Sequence, residues 1–172
     1  MLFLTEPTAQ YKDEFIAALK EFQREGRMLH RDVQRITRDF PNFLRQVQDQ
    51  KDQRKLSPYD VPATEFWLID DGEYVGYLSL RHELNDLLFR IGGHFGYMIR
   101  PSKRRRGYGK AILHLGLEQA RKMGMKRVLV TCDENNVGSK KVIEYNGGQF
   151  ENVVSVEGSS MKKLRYWIDL IS

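Results

Sequence analysis

A single cysteine, Cys132, stands among the 172 residues, so no disulfide can close within the chain and the fold must rest on its core. This scarcity fits a reducing compartment, with the cytoplasm as the default. No apolar run approaches the roughly 20 residues of a membrane-spanning helix. The opening stretch from Met1 to Pro7 lacks the basic start and unbroken apolar run of a secretion signal, so no membrane role is expected. Repeats, low-complexity segments and linker-like composition breaks are absent as well. His82 and His94 fall on neighbouring expected strands, but no third ligand joins them, and no metal is expected. Two common phosphate loops are also missing. Neither the Gly-Lys-Ser/Thr ending of a P-loop nor the third glycine of a dinucleotide fingerprint occurs.

What is present describes a globular chain. Hydrophobic residues make up 41% and charged residues 30%, and the length suits one domain across residues 1–172. The net charge is +5, and part of that excess is concentrated in Arg100, Lys103 to Arg106 and Lys110. Leu2 to Leu4 reads as a short strand. Tyr11, Phe15, Ala18, Leu19 and Phe22 share a helical stripe stopped by Gly26, and a polar helix is expected from Pro41 to Lys55. Strands follow at Phe66 to Ile69, Tyr74 to His82 and Gly92 to Ile99, with Asp70-Asp71-Gly72 as a hairpin turn. A helix over Tyr108 to Met123, a fully covered strand at Val128 to Val130 and a short helix from Gly138 to Tyr145 come next. Phe150 to Val156 and Leu164 to Leu170 are the last strands. The order is β, α, α, β, β, β, α, β, α, β, β.

The most informative stretch runs from Met98 to Ile112. It reads as a strand, a sharp exit at Pro101 and Ser102, a basic glycine loop and a helix start. Gly107 and Gly109 let backbone approach a ligand, and the first N–H groups of the helix point outward with the positive end of the helix dipole behind them. This is an anion cradle. The spacing Arg104-x-x-Gly107-x-Gly109 resembles the pyrophosphate loop of the GNAT superfamily of acetyl-CoA-dependent N-acetyltransferases. A second stretch, Asn136-x-x-Ser139 with Gly147 beyond it, is in register with another feature of that superfamily. The resemblance covers the whole chain in outline and Gly92 to Gly148 in detail.

The resemblance implies an α/β fold with a mixed, mostly antiparallel central sheet, flanking helices and a splayed parallel strand pair. It implies acetyl-CoA as cosubstrate. Met98, Ile99 and Arg100 would offer backbone to the pantetheine arm, and an N–H near Met98 would polarise the thioester oxygen. Arg105, Arg106, Gly107, Tyr108, Gly109 and Lys110 would seat the pyrophosphate on their N–H groups, with Arg104 and Lys110 adding charge. Asn136 and Ser139 complete the cofactor set. Many members carry a tyrosine that protonates the leaving thiolate. Here that position holds Ile143, and Tyr145 lies about 200° further round the helix.

Amine acetylation also needs a base, and His94 stands where many members place a glutamate; it reads equally well as a structural histidine in the sheet. Glu83 is the second candidate and also reads as a solvated turn residue. Asp133 and Glu134 could attract a cationic amine. The acceptor class is a small-molecule or peptide amine, and dimers are common in the superfamily, for which the Leu164 to Leu170 strand offers an edge. Two other readings stand beside this one: a non-catalytic module that binds CoA or nucleic acid, and transfer of a different acyl group. Only Tyr108 interleaves the basic run, which argues against nucleic acid.

Overall fold

Phe66, Trp67, Leu68 and Ile69 alternate to opposite sides of a strand, yet all four are apolar, which requires cover on both faces. The computed structural model describes residues 1–171 and provides that cover. Strands β1 (Leu2–Thr5), β2 (Ala63–Asp70), β3 (Glu73–Arg81) and β4 (Phe95–Ile99) form an antiparallel sheet in the order β1-β2-β3-β4. Strands β5 (Arg127–Asp133), β6 (Gln149–Ser155) and β7 (Lys162–Asp169) form a second antiparallel sheet in the order β5-β7-β6. Helices α1 (Lys12–Arg24), α2 (Val33–Arg38) and α3 (Phe40–Asp49) precede β2. Helix α4 (Tyr108–Lys122) links β4 to β5, and α5 (Val137–Tyr145) follows β5.

Two cores result. Trp67, Ile69 and Tyr74 pack with Phe15, Leu19 and Phe22 of α1 and with Phe40, Phe43 and Val47. The Phe15 and Trp67 rings stack at 4.5 Å, and Tyr74 meets Trp67 edge-on at 5.4 Å. On the other face Leu68, Leu78, Leu80 and Phe95 pack with Ile112, Leu113 and Leu117 of α4, and with Ile143 and Tyr166. Gly116 allows the close approach of α4, since a Cβ there would lie 2.7 Å from a Leu78 methyl. The β2–β3 hairpin turns at Asp71 (φ 48°) and Gly72 (φ 84°), two left-handed residues as that turn requires.

Three expectations are corrected. The polar helix ends at Asp49, and an extra helix, α2, precedes it; Asp32 caps α2 and Asp39 caps α3, each accepting an N–H from its first turn. The strand expected from Gly92 begins only at Phe95. Leu88–Gly92 winds a single π turn instead, closed by Gly93 N–H on Leu88 O at 2.6 Å. The strand near Leu164 is no edge, because β7 lies between β5 and β6.

No ladder joins β4 to β5 among the described residues. They touch at one place, where His94 N–H donates to Leu129 O at 2.7 Å and Leu129 N–H donates to His94 Nδ1 at 2.9 Å. Beyond it they diverge. Gly93 sits at this pinch with φ 67° and ψ −173°, a conformation open essentially to glycine alone, and a Cβ there would lie 2.6 Å from Leu129 O. Gly93→Ala is therefore expected to cost about 3 kcal/mol in urea unfolding. A midpoint equal to that of the wild type would rule out the pinch.

Candidate active site

The gap between β4 and β5 has polar walls built by alternation. Arg100 N–H donates to Val75 O at 2.8 Å and Arg81 N–H to His94 O at 2.8 Å, so even-numbered residues of β4 turn their backbone to β3. Tyr97 and Ile99 are left facing the gap. Met98, expected to offer its N–H there, is therefore turned away; the strand donors are Tyr97 and Ile99. The Ile99 carbonyl accepts Arg104 Nε at 3.1 Å. The cleft holds about 300 Å³ and is lined by Arg81, Gly96, Tyr97, Cys132, Asn136 and Ser139, among others.

At the mouth of the gap stands the basic loop. Arg105 (φ 63°) and Gly107 (φ 84°) both adopt left-handed conformations, which turn successive N–H groups to one side. From Arg105 to Lys110 these N–H groups have no acceptor among the described residues, and no side chain caps α4. A Cβ on Gly107 would meet open space, whereas one on Gly109 would lie 3.0 Å from a Val142 methyl. Gly107 serves the loop's turn, and Gly109 serves packing against α5.

The basic cluster divides in two. Arg100 pairs with Glu14 (2.9 Å) and Glu21 (2.8 Å), and Arg104 with Glu25 (2.9 and 2.8 Å). Lys103 pairs with Glu73. The Arg104 guanidinium holds the Glu25 carboxyl below its usual range. Arg100, whose backbone was expected at the pantetheine arm, gives its N–H to Val75 instead, and its side chain, with that of Arg104, which was expected at the ligand, ties the loop to α1 and to Glu25 just past it. Arg105, Arg106 and Lys110 enter no ion pair among the described residues, and Lys110 lies 4.2 Å over the Tyr145 ring. Tyr108 commits its hydroxyl to Asp70 at 2.8 Å and leaves only its N–H for the cradle.

Asn136 caps α5, its Oδ1 accepting Ser139 N–H at 3.0 Å. Ser139 Oγ lies 2.8 Å from the Tyr97 hydroxyl, a pair that spans the gap from β4 to α5. Burial pushes Tyr97 up to about 12, so it stays protonated at neutral pH. Ile143 is buried in the α4-side core, and Tyr145 is exposed.

The geometry of His94 does not suit the base expected of it. Its Nδ1 accepts the Leu129 amide, which places the proton of the neutral ring on Nε2 and leaves no free lone pair. Burial, with Arg81 adding to it, pushes the imidazole down to about 4. Glu83 is exposed and lines neither cavity. Asp133, on the cleft wall, is held by Lys163.

A second cavity of about 470 Å³ opens between α2, α3 and the sheet. Its floor is a pair the sequence did not suggest: Arg31 grips Glu65 at 2.6 and 3.1 Å, and Trp67 Nε1 donates to the same carboxylate at 2.9 Å. Both partners are nearly buried, and only the β2 burial pattern could have hinted at Glu65. Asn42 and Gln46 on α3 and Gln50 just past its end line a wall, and Tyr77 and Ser79 carry the lining toward Arg81 and the first cleft.

A split antiparallel sheet covered by helices, opening beside an anion cradle at a helix N-terminus, is the architecture of CoA-dependent acyltransferases of the GNAT type. The chain belongs to that family: the model of the acetyltransferase (GNAT) domain matches residues 2–149. It is a GNAT acyltransferase, and among the described residues no helix is long and apolar enough to cross a membrane. RimJ from Mycobacterium smegmatis, solved in complex with CoA-disulfide, superposes with a TM-score of 0.70 at 18% identity, over 98% of this chain and 81% of that one. The Microcin C7 self immunity acetyltransferase MccE, in complex with acetyl-CoA and AMP, gives 0.70 at 14%, over 98% and 92%. An acetyl transferase from Salmonella typhimurium that modifies the N-terminal serine of a 50S ribosomal subunit protein gives 0.66 at 15%, over 98% and 94%. At these identities the likeness is one of fold. No curated protein matches the chain in sequence.

The His94 geometry has a consequence for stability. The unfolded imidazole takes a proton near pH 6.5 and the folded one only near about 4. Between these values the unfolded chain holds more protons, so stability rises with pH and is lost on acidification. His94→Gln is expected to flatten the slope of unfolding free energy between pH 4 and 6.5. An unchanged slope would mean that the ring is not held as described.

Proposed function

We propose that the protein is an N-acetyltransferase, one domain over residues 1–172, that uses acetyl-CoA and passes the acetyl group directly to an amine. The run of outward N–H groups from Arg105 to Lys110 beside the β4–β5 gap carries this reading. The residues fit the cosubstrate: the cradle is open at Gly107, and Arg105, Arg106 and Lys110 are cations without a carboxylate. When bound, acetyl-CoA supplies an acyl group activated as a thioester. The cradle offsets the pyrophosphate charge, while Tyr97 and Ile99 offer backbone donors to the arm and the thioester oxygen. Either hydroxyl of the Tyr97–Ser139 pair can donate, and when Tyr97 does, the serine O–H is left to donate to the departing sulfur in place of the tyrosine missing at Ile143. His94 acts as a positioning residue that sets the gap.

The amine enters through the larger cavity. Its amides and the carboxylates of Asp32 and Asp39 suit a cationic, polar acceptor, either a peptide N-terminus or a small amine. The Salmonella relative's N-terminal serine substrate supports the peptide. No unpaired carboxylate stands in the smaller cleft among the described residues, so the ammonium proton passes to water. The single buried Cys132, free of any disulfide, is in keeping with a cytoplasmic setting.

Calorimetric titration with acetyl-CoA, desulfo-CoA and a short RNA tests the cradle. Micromolar binding of both CoA ligands is expected, at least tenfold weaker in a folded Gly107→Val; RNA binding alone would overturn the reading. With an amine acceptor in hand, kcat/KM should rise with pH along the acceptor's own titration, with no inflection near 6.5. Ser139→Ala should lower kcat more than it weakens acetyl-CoA binding, and an equal loss in both would remove Ser139 from proton delivery.

A further inference from the structure

Arg81 ends β3 on the face that carries Tyr77 and Ser79, and it stands where the two cavities meet: Ser79 lines the larger one and Arg81 the smaller. One terminal nitrogen, Nη1, donates to Gly92 O at 3.2 Å and Gly93 O at 2.8 Å, which braces the π turn. The Nε–H and Nη2 edge has no acceptor among the described residues. Arg31, Arg100, Arg104 and Arg165 each meet a carboxylate, and Arg81 meets none. Of the carboxylates lining the two cavities, Asp133 is held by Lys163 and Glu65 by Arg31, while Asp32 and Asp39 cap α2 and α3. Burial pushes the Arg81 guanidinium below its ordinary value, the direction for a desolvated cation without a counter-charge.

Arg81 and Gly96 line the smaller cleft together, and the absence of a side chain at Gly96 leaves space beside Nη2. A Cβ on Gly96 would lie 3.8 Å from Nη2, and a larger side chain would come between the guanidinium and the gap. An Nε–Nη2 edge presents two parallel donors matched to the two oxygens of a carboxylate.

We propose that Arg81 binds a carboxylate carried by one of the two substrates and selects for it. The inference rests on the reading that a CoA thioester occupies the β4–β5 gap. The carboxylate has two sources. It ends the acyl chain, as in succinyl-CoA, or it belongs to an amino-acid-like acceptor arriving past Tyr77 and Ser79.

Calorimetry separates the two sources and needs only the wild-type protein at first. Succinyl-CoA is compared with butyryl-CoA, a neutral chain of equal carbon count. On CoA-loaded protein, a panel of L-amino acids is compared with the matching amides. A preference of at least tenfold for the charged member is expected in one arm, and Arg81→Gln should reduce it to within about twofold. Arg81→Lys, which keeps the charge without the fork, should retain part of it. Equal affinities in both arms, or a preference that survives Arg81→Gln in protein of unchanged circular dichroism, would overturn the proposal. If acetyl-CoA, butyryl-CoA and succinyl-CoA all fail to bind the folded wild type, the CoA reading itself fails.

Discussion

β4 and β5 lie side by side at His94 and Leu129 and then part, and the site exists because of that geometry. Two hydrogen bonds hold the closed end. Gly93 makes the approach sterically feasible, and the Arg81 brace on the carbonyls of Gly92 and Gly93 fixes the turn that delivers His94. Past this point the backbone donors of Tyr97 and Ile99 have no strand to meet. Unpaired strand groups are costly when buried and become a binding surface when a ligand can satisfy them. The Tyr97–Ser139 pair crosses the gap, so the opening keeps a definite width.

Charge is arranged with similar economy. Glu14 and Glu21 on α1 take up Arg100, Glu25 just past its end takes Arg104, and Glu73 takes Lys103. The first half of the basic loop is thereby tied to the body of the protein. The second half, from Arg105 to Lys110, has neither ion pairs for its cations nor acceptors for its N–H groups among the described residues. An anion arriving there meets donors already aimed, so little ordering cost remains to be met on binding. The left-handed Arg105 is the local strain that this aim requires.

Much of the frame was legible in the chain. The apolar run Phe66 to Ile69 implied a strand, and the Asp71-Gly72 turn and the stripe from Tyr11 to Phe22 read correctly because their signals are local. The cradle was legible for the same reason: strand, glycine turn and helix start are consecutive. Side-chain partners were not. Nothing local distinguishes Arg104, which grips Glu25, from Arg105, which has no ion-pair partner among the described residues, since the difference depends on a residue 79 positions away in sequence. His94 could be read as base or brace until Leu129 was seen to occupy its Nδ1.

The sequence by itself determined the order of elements apart from α2, and the place of the glycine turn that opens α4, because each follows from periodicity and turn chemistry within a few residues. Only the tertiary structure decided which backbone groups face the gap, since that depends on the register of β4 against β3. It likewise decided which cations are paired and which hydroxyls meet across the cleft. These are contacts between segments far apart in the chain, and packing, not local preference, brings them together.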